Sequence, residues 1–248
     1  MLMLNKNIVQ LVDENFIYAR ALHYLGIDFM EFGDKTLFDV CRRRKLNINM
    51  VLKTLDSFAH PENETRTELE SYPISLIIGY LKHSHHSFIK HRLPYIHSLI
   101  RSLHPDFRNQ SDLKDLHLIF PVFLEDFIKH IYEEEDTLFG YITDLSRFRP
   151  ERAKSMSKII IDFQPHTLQE IATEHSEEDE MAGLREMIKC IMQEGIDDIM
   201  VRTIVKEMVA FDEELENHAK VENEILFPKA IQLEQDVFLQ LDEISKLN

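Results

Sequence analysis

Glycine, proline and cysteine are scarce in this sequence: its 248 residues include six glycines, eight prolines and two cysteines. So few chain breakers, among long stretches rich in Leu, Ile, Lys and Glu, favour long helices joined by few tight turns. The two cysteines, Cys41 and Cys190, form no Cys-x-x-Cys pattern, which argues against a disulfide framework and against a thiolate zinc site. The composition therefore predicts an all-α protein, and we expect it in the reducing cytoplasm.

Long apolar runs and an excess of positive charge are absent as well. No stretch approaches the roughly 18 apolar residues of a membrane span, and the first residues lack the basic and apolar segments of an export signal. The formal net charge of -16 disfavours binding to a nucleic-acid backbone or to an anionic membrane surface. We therefore expect neither nucleic acid nor membrane among its partners.

Apolar residues at helical spacing mark four long segments, at about 74–103, 113–148, 165–193 and 198–241. A polar stretch separates these segments from a short N-terminal part. We therefore predict a small helical domain at 1–56, a linker at 57–70 and an up-down four-helix bundle at 71–248. Asp197 is expected to cap the fourth segment, and kinks are expected at Pro94, Pro121 and Pro228.

A ten-residue motif occurs twice in the predicted bundle, at residues 130–139 and 218–227. Both copies follow the pattern His-x-x-x-Glu-x-x-x-Leu-Phe. On a helix, positions i and i+4 share one face and lie about one turn apart. Within each pair, His130 with Glu134 and His218 with Glu222, the two side chains can therefore reach a common point.

Both pairs interrupt an otherwise apolar helical stripe. Steps of three and four residues join Leu116, Phe120, Phe123, Phe127, His130, Glu134, Leu138 and Tyr141 in the second segment, and Val201, Ile204, Met208, Phe211, Leu215, His218, Glu222 and Ile225 in the fourth. A carboxylate in an apolar stripe costs several kcal/mol to bury unless it is paired, hydrogen-bonded or bound to a metal ion. One such pair alone is typical of an exposed helix surface, but the repeat on two stripes predicts a metal site.

Each of the other two segments offers one histidine on an apolar stripe. In the first, His86 shares a face with Ile78, Ile89, Leu93, Ile96 and Ile100. This face favours His86 over His83, with His85 as the alternative. In the third, His175 follows Leu168 and Ile171. The spacing from His86 to His175 nearly equals that between the two motifs, so an internal repeat predicts both histidines as ligands.

The predicted donor set suits two first-row metal ions that share carboxylates, better than a closed zinc site or an all-oxygen calcium site. The share of imidazole favours iron over manganese, and a structural zinc or manganese ion is the less favoured alternative. Ferritin-like bundles use a Glu-x-x-His pattern that is missing here. The predicted ligands are His86, His130, Glu134, His175, His218 and Glu222.

These residues resemble the hemerythrin-like superfamily and, within it, the bacterial di-iron proteins that repair iron centres. Residues 71–240 are similar to the hemerythrin-like domain, with Leu93-Pro94 and Leu226-Phe227-Pro228 as landmarks. The resemblance implies that the six predicted ligands hold two iron ions and that Glu134 and Glu222 bridge them. In the N-terminal part, Gly26-Ile27-Asp28-Phe29, Gly33, Leu37 and Cys41 are similar to the short domain that precedes the bundle in these proteins.

Two positions depart from the family pattern. Met30-Glu31 replaces the pair of cysteines that usually follows Gly-Ile-Asp-Phe, so the thiol chemistry of that pair does not transfer, and Cys41 alone cannot replace it. One turn after His175, where the family commonly has a glycine, this chain has Asp179 within an acidic stretch. Either Asp179 or Glu178 is a candidate partner of the site, and a solvated acidic turn is the alternative.

The resemblance implies a non-haem di-iron protein of the response to nitrosative or oxidative stress, involved in the repair of damaged iron-sulfur clusters. The expected partners are nitric oxide, oxygen or peroxide at the metal ions, together with iron-sulfur proteins. The alternative function is reversible binding or sensing of oxygen or nitric oxide without turnover. Whether the protein is an enzyme or delivers iron is left open by the sequence.

Overall fold

The computed structural model describes residues 3–29, 31–59, 66–104, 111–163, 167–177 and 179–246. These residues form helices and no strands, and a single isolated β-bridge joins Asn7 to Thr36. The prediction of an all-α fold is confirmed. None of the described helices combines the length and the apolar character needed to cross a membrane.

The first part of the chain forms five helices after a 3-10 turn, and its caps follow from the sequence. They are α1 (Ile8–Glu14), α2 (Ile17–Tyr24), α3 (Leu37–Arg44), α4 (Ile48–Ala59) and α5 (Arg66–Ser71). Asn7 starts α1 with a reciprocal capping box to Gln10, and the Thr36 hydroxyl accepts a hydrogen bond from the amide of Asp39 at the start of α3. Such side chains satisfy amide groups that a helix leaves unpaired at its first turn.

The remaining described chain forms nine further helices. They are α6 (Ile74–Ser87), α7 (Leu93–Arg101), α8 (Ser111–Asp136), α9 (Leu138–Ser146), α10 (Ala153–Phe163), α11 (Leu168–Glu177), α12 (Ala182–Gln193), α13 (Ile199–Val221) and α14 (Phe227–Lys246). The four predicted segments are helical but interrupted, and α10 is a helix that the sequence did not predict. Asp198 caps α13 by accepting from the amides of Met200 and Val201, whereas Asp197 pairs with Arg202.

Two π-helical segments, Phe88–Arg92 and Glu222–Leu226, lie between α6 and α7 and between α13 and α14. A proline follows each of them at the second residue of the next helix: Pro94 and Pro228. Proline has no amide hydrogen and clashes with the carbonyl four residues earlier, and a wider turn relieves this conflict. Pro121 lies within the uninterrupted α8. Two of the three predicted distortions are therefore π-segments.

The chain divides into two compact units that do not follow chain order. Unit 1 contains Met1–Asn63, Pro94–Leu118 and Leu184–Phe211, and unit 2 contains Glu64–Leu93, Ile119–Gly183 and Asp212–Asn248. The N-terminal helices thus group with stretches that the sequence analysis assigned to the bundle. Residues 60–65 of the predicted linker lie outside the described residues, and its ends belong to α4 and α5.

Unit 1 has its own apolar core, and the residues that resemble the family's N-terminal domain lie in it. Ile27, Phe29, Leu37 and Cys41 are buried. Gly26 adopts a φ of 72°, a left-handed conformation that glycine reaches without steric cost. Met30, the first of the two residues that replace the cysteine pair, lies outside the described residues.

Unit 2 has a second core, which is built mainly from α6, α9, α10, α11 and α14. Within this unit α6 packs against α9 and against the second π-segment, while α14 packs against α9, α10 and α11. The predicted stripes face inward here, since Leu138, Tyr141 and Ile225 are buried. All six predicted ligands belong to unit 2.

Candidate metal centre

Four side chains of unit 2 bring their donor atoms together in its interior. His85 comes from the last turn of α6, Glu134 from α8, His218 from α13, and Glu222 opens the second π-segment. One donor atom from each of the four lies within 4.8 Å of the others. The group is buried: 2% of His85, 8% of Glu134 and 2% of Glu222 is exposed. This group could hold a metal ion.

Glu222 lies at the middle of the wider arrangement because its two oxygens face different histidines. Its Oε1 atom is 2.9 Å from Nε2 of His218, and its Oε2 atom is 3.3 Å from Nε2 of His175. On the first side, Nε2 of His85 lies 2.9 Å from Nε2 of His218 and 3.4 Å from Oε2 of Glu134. The carboxylate of Glu222 therefore links the group of four to His175.

These distances fit a cation better than hydrogen bonding alone. Donor atoms that surround a first-row ion at about 2.1 Å lie roughly 3 Å apart from one another. Two imidazole nitrogens 2.9 Å apart can share only one hydrogen. Moreover, Oε1 of Glu134 is buried and has no hydrogen-bond partner within the described residues, and the buried Oε1 of Glu222 lies close to Nε2 of His218 without the angles of a hydrogen bond. Buried oxygens of this kind are costly unless a cation satisfies them.

In each motif copy, the residue five positions after the histidine orients a histidine on another helix. In the first copy, Oε1 of Glu135 lies 3.0 Å from Nδ1 of His85, and in the second, Oδ1 of Asn223 lies 3.2 Å from Nδ1 of His175. A carboxylate only accepts hydrogen bonds, so it places the hydrogen of a neutral His85 on Nδ1 and leaves the Nε2 lone pair facing the centre. Partners of this kind fix the orientation of metal-binding histidines.

The phenylalanine that ends each motif copy packs against the same two histidines. Phe139 is stacked on His85, with ring centroids 5.6 Å apart, and Phe227 lies 5.4 Å from His175. The internal repeat therefore extends to the surroundings of each lone histidine. In this repeat His85, rather than His86, is the counterpart of His175.

The structure places His86 on the exposed surface of α6 and brings His85 to the centre. The apolar face that selected His86 was counted back from Ile89, Leu93 and Ile96 at regular helical spacing. The π-segment Phe88–Arg92 adds one residue to that turn, so residues before it are rotated relative to the count. Counting forward from Leu81 by four residues reaches His85 correctly.

Two predicted ligands lie on the outer side of the arrangement. The side chain of His175 is 14% exposed, and that of His130 is 36% exposed. Their rings are 6.5 Å apart, and Nε2 of His130 lies 3.2 Å from Oε1 of Glu180. Asp179, the carboxylate singled out in the sequence, is exposed, and Glu178 lies outside the described residues.

Burial sets unusual protonation states in the inner group. Burial, followed by the nearby charge of His218, lowers the pKa of His85 to about 4, which keeps this ring neutral near pH 7. Burial and the negative charge of Glu222 raise the pKa of Glu134 well above its usual value. Burial acts to raise the pKa of Glu222 as well, but His218 and His175 outweigh it and hold that pKa below its usual range. A bound cation would displace the proton of Glu134.

Sequence reasoning missed Glu135, Asn223 and Glu180, and a signal existed for the first two. Both occupy the same position of the repeated motif, so comparison of the two copies beyond His, Glu and Leu-Phe would have marked them. No periodic pattern marks Glu180, which lies in the turn before α12. Its contact with His130 depends on how the helices pack.

Comparison with known proteins adds no family assignment. No family model matches the chain, and no curated protein matches it. The resemblance to hemerythrin-like proteins accordingly rests on the residues and motifs of the chain itself.

Proposed function

We propose that the protein is a non-haem di-iron protein of the response to nitrosative or oxidative stress that takes part in the repair of damaged iron-sulfur clusters. The observation that carries this proposal is the position of Glu222. Its two carboxylate oxygens face histidines of two different groups, His218 on one side and His175 on the other. A carboxylate shared in this way suits two adjacent metal ions.

We propose in addition that the helices around this centre form an up-down four-helix bundle behind a helical N-terminal domain. Support comes from the packing of α6 against α9, and of α14 against α9 and α11, within unit 2. The donor residues come from four parts of the chain that are far apart in sequence. Bundles build metal sites from facing helices in this manner.

The proposal has two metal positions that share Glu222. At the inner position the ligands would be His85, Glu134, His218 and Glu222. At the outer position they would be His130, His175 and Glu222. Glu135 and Asn223 hold the Nδ1 atoms of His85 and His175, so the Nε2 atoms stay directed at the ions. When bound, two iron ions would supply one-electron changes of valence and open positions for nitric oxide, oxygen or peroxide.

Aromatic rings shield the inner position from water. Phe139 stacks on His85, and Phe88 approaches His218 edge-on with ring centroids 5.5 Å apart. The outer side, with the partly exposed His130, is where small molecules would reach the centre. The proposed partners are those small molecules and the iron-sulfur proteins of the cytoplasm.

The proposal assigns no thiol chemistry to the N-terminal part. Cys41 is buried, and burial raises the pKa of its thiol. A thiol in this environment is a poor nucleophile and a poor metal ligand. Repair would therefore depend on the metal centre and not on a thiol of the N-terminal part.

Metal analysis of protein purified without added metal tests the proposal. We expect about two iron ions per chain, as two metal positions require. A content below one iron per chain, or stoichiometric zinc or manganese, would overturn the di-iron assignment.

Rapid mixing of the reduced protein with nitric oxide or oxygen separates repair from the alternative function, reversible gas binding. For a repair protein we expect oxidation of the iron by oxygen and restored activity of a nitric-oxide-damaged iron-sulfur enzyme when the protein is added. Reversible oxygen binding without such restoration would favour the carrier or sensor. The E222A variant serves as the control that lacks the shared carboxylate.

A further inference from the structure

The two motif copies differ in where their histidines point. In the second copy, Nε2 of His218 lies 2.9 Å from the carboxylate of Glu222, four residues later on the same stretch of helix. In the first copy, Nε2 of His130 lies 3.2 Å from Glu180, which belongs to the turn before α12. A carboxylate from outside both motif copies thus stands at the outer position.

Glu180, which contacts His130, also acts on the inner group through its charge, since it contributes to the raised pKa of Glu134. Its side chain is 32% exposed, whereas Glu134 is almost wholly buried. Glu180 therefore lies between solvent and the interior of the centre.

The turn that carries Glu180 is fixed on its inner side. Met181, the next residue, is buried, and the amide of Ala182 donates to the carbonyl of Asp179 at 3.2 Å. The backbone at Glu180 is thereby held while its side chain reaches towards His130.

We propose that Glu180 is a further metal ligand, one that completes the outer position together with His130, His175 and Glu222. This inference rests on the proposed two-metal function. Carboxylate and imidazole together form a donor set that first-row divalent ions accept readily. Because His130 and Glu180 are about one-third exposed while the inner residues are buried, the outer ion exchanges faster than the inner ion.

The test is titration of the metal-free, full-length protein with Co²⁺, read by visible absorbance and by metal content after desalting. For the wild type we expect two Co²⁺ per chain, one of which is lost quickly to a chelator. For E180Q we expect unchanged binding of the first ion, with the second bound about 10- to 100-fold more weakly, at least as large a loss as that of an orienting partner. D179N removes a neighbouring negative charge and should behave as the wild type does.

A second variant, E180D, separates ligation from a simple effect of charge. It keeps the negative charge but shortens the side chain by one methylene group, so ligation predicts a weakened second ion in E180D also. Wild-type affinity in E180D, or in E180Q, would overturn the ligand assignment while two ions still bind to the wild type. A wild type that holds one ion at most would overturn the two-metal function and this inference together.

Discussion

The inner and outer sides of the centre are built from the same repeated motif, yet they differ in burial and in the charge of their orienting residues. The inner side surrounds His85 with Phe139 and with the carboxylate of Glu135. The outer side gives His175 a neutral Asn223. A carboxylate partner makes an imidazole a stronger donor than an amide does, so the inner ion should be held more tightly.

An internal repeat can thus keep its contacts with the two lone histidines, His85 and His175, while its halves diverge in chemistry. Glu135 also pairs with Lys82, with 3.4 Å between Nζ and Oε2, which extends the inner network to the surface. Its counterpart Asn223 carries no charge and cannot form such an ion pair. Under the proposed two-metal function, one half would retain its ion and the other would exchange it.

Loss of the shared carboxylate of Glu222 should have the largest effect on metal binding, because both metal positions use this residue. For E222A we expect fewer than one metal ion per chain instead of about two, since each position loses a ligand. Metal content by mass spectrometry measures this. E224A, which changes an exposed residue of the same π-segment, is the control and should keep both ions.

Unchanged metal content in E222A would contradict the assignment of Glu222 as a bridge between the two ions. The same measurement on E134A asks whether the second buried carboxylate belongs to one half or to both. We expect E134A to lose the inner ion, because Glu134 lies beside His85.

Substitution of His85 should weaken metal binding at the inner position alone. For H85Q we expect one retained ion and an affinity for the inner ion that falls by more than the ~10- to 100-fold cost of losing an orienting partner. H86Q is the matched control, because His86 is exposed one residue later. Isothermal titration with Co²⁺ would show which of the two variants loses a binding step, and a loss confined to H86Q would refute the assignment of His85.

Acidification should lower the free energy of unfolding of the metal-free protein, because the buried His85 of the inner position resists protonation. The pKa of His85 falls from 6.5 to about 4 on folding, so the stability that this neutral ring contributes is complete above pH 6.5 and is lost as the pH falls towards 4. The full difference corresponds to about 3 kcal/mol. The free energy of unfolding in urea, measured with a chelator at pH 7.5 and pH 4.5, should fall further for the wild type than for H85Q.

The raised pKa of Glu134 acts in the opposite direction, since that group favours the folded state as the pH falls. Glu134 is present in both proteins, so the difference between wild type and H85Q reports His85 together with its 3.4 Å contact to Glu134. Equal pH responses in the two proteins would contradict the assignment of a buried, neutral His85.

Substitution of an orienting residue should have the smallest effect on metal affinity, and the effect should be confined to one metal position. E135Q keeps a hydrogen-bond acceptor but loses the charge, so we expect a loss of up to about 10- to 100-fold in affinity for the inner ion alone. E133Q, on the exposed side of α8, is the control. An effect of E135Q on the outer ion instead would reverse the assignment of the two halves.

Much of the centre could be predicted from the sequence because its signals are local. Glu134, His218 and Glu222 lie on apolar stripes, and a buried carboxylate at such a position implies a counter-charge wherever the helix packs. The same periodicity predicted His130 and His175 as ligands, which stays a prediction. The chemistry of the donor set, imidazole with carboxylate, follows from residue types alone.

The same rule selected His86 instead of His85, because the count ran back through a turn that is not a regular α-helix. Leu93 and Pro94 follow a π-segment, and one extra residue in that turn changes which histidine faces inward. The repeated Leu-Phe ending of the motif held the missing information, since Phe139 packs on His85. Its use required knowing which helices are neighbours.

The helical fold, the apolar stripes and the two His-x-x-x-Glu pairs follow from local sequence, because periodicity and the cost of buried charge are properties of each helix alone. Helix packing brings His85 into the centre, places Glu135 and Asn223 against its histidines, and places Glu180 beside His130. These contacts join residues up to 133 positions apart. They depend on helix packing and on a local π-turn, neither of which a single periodic pattern encodes.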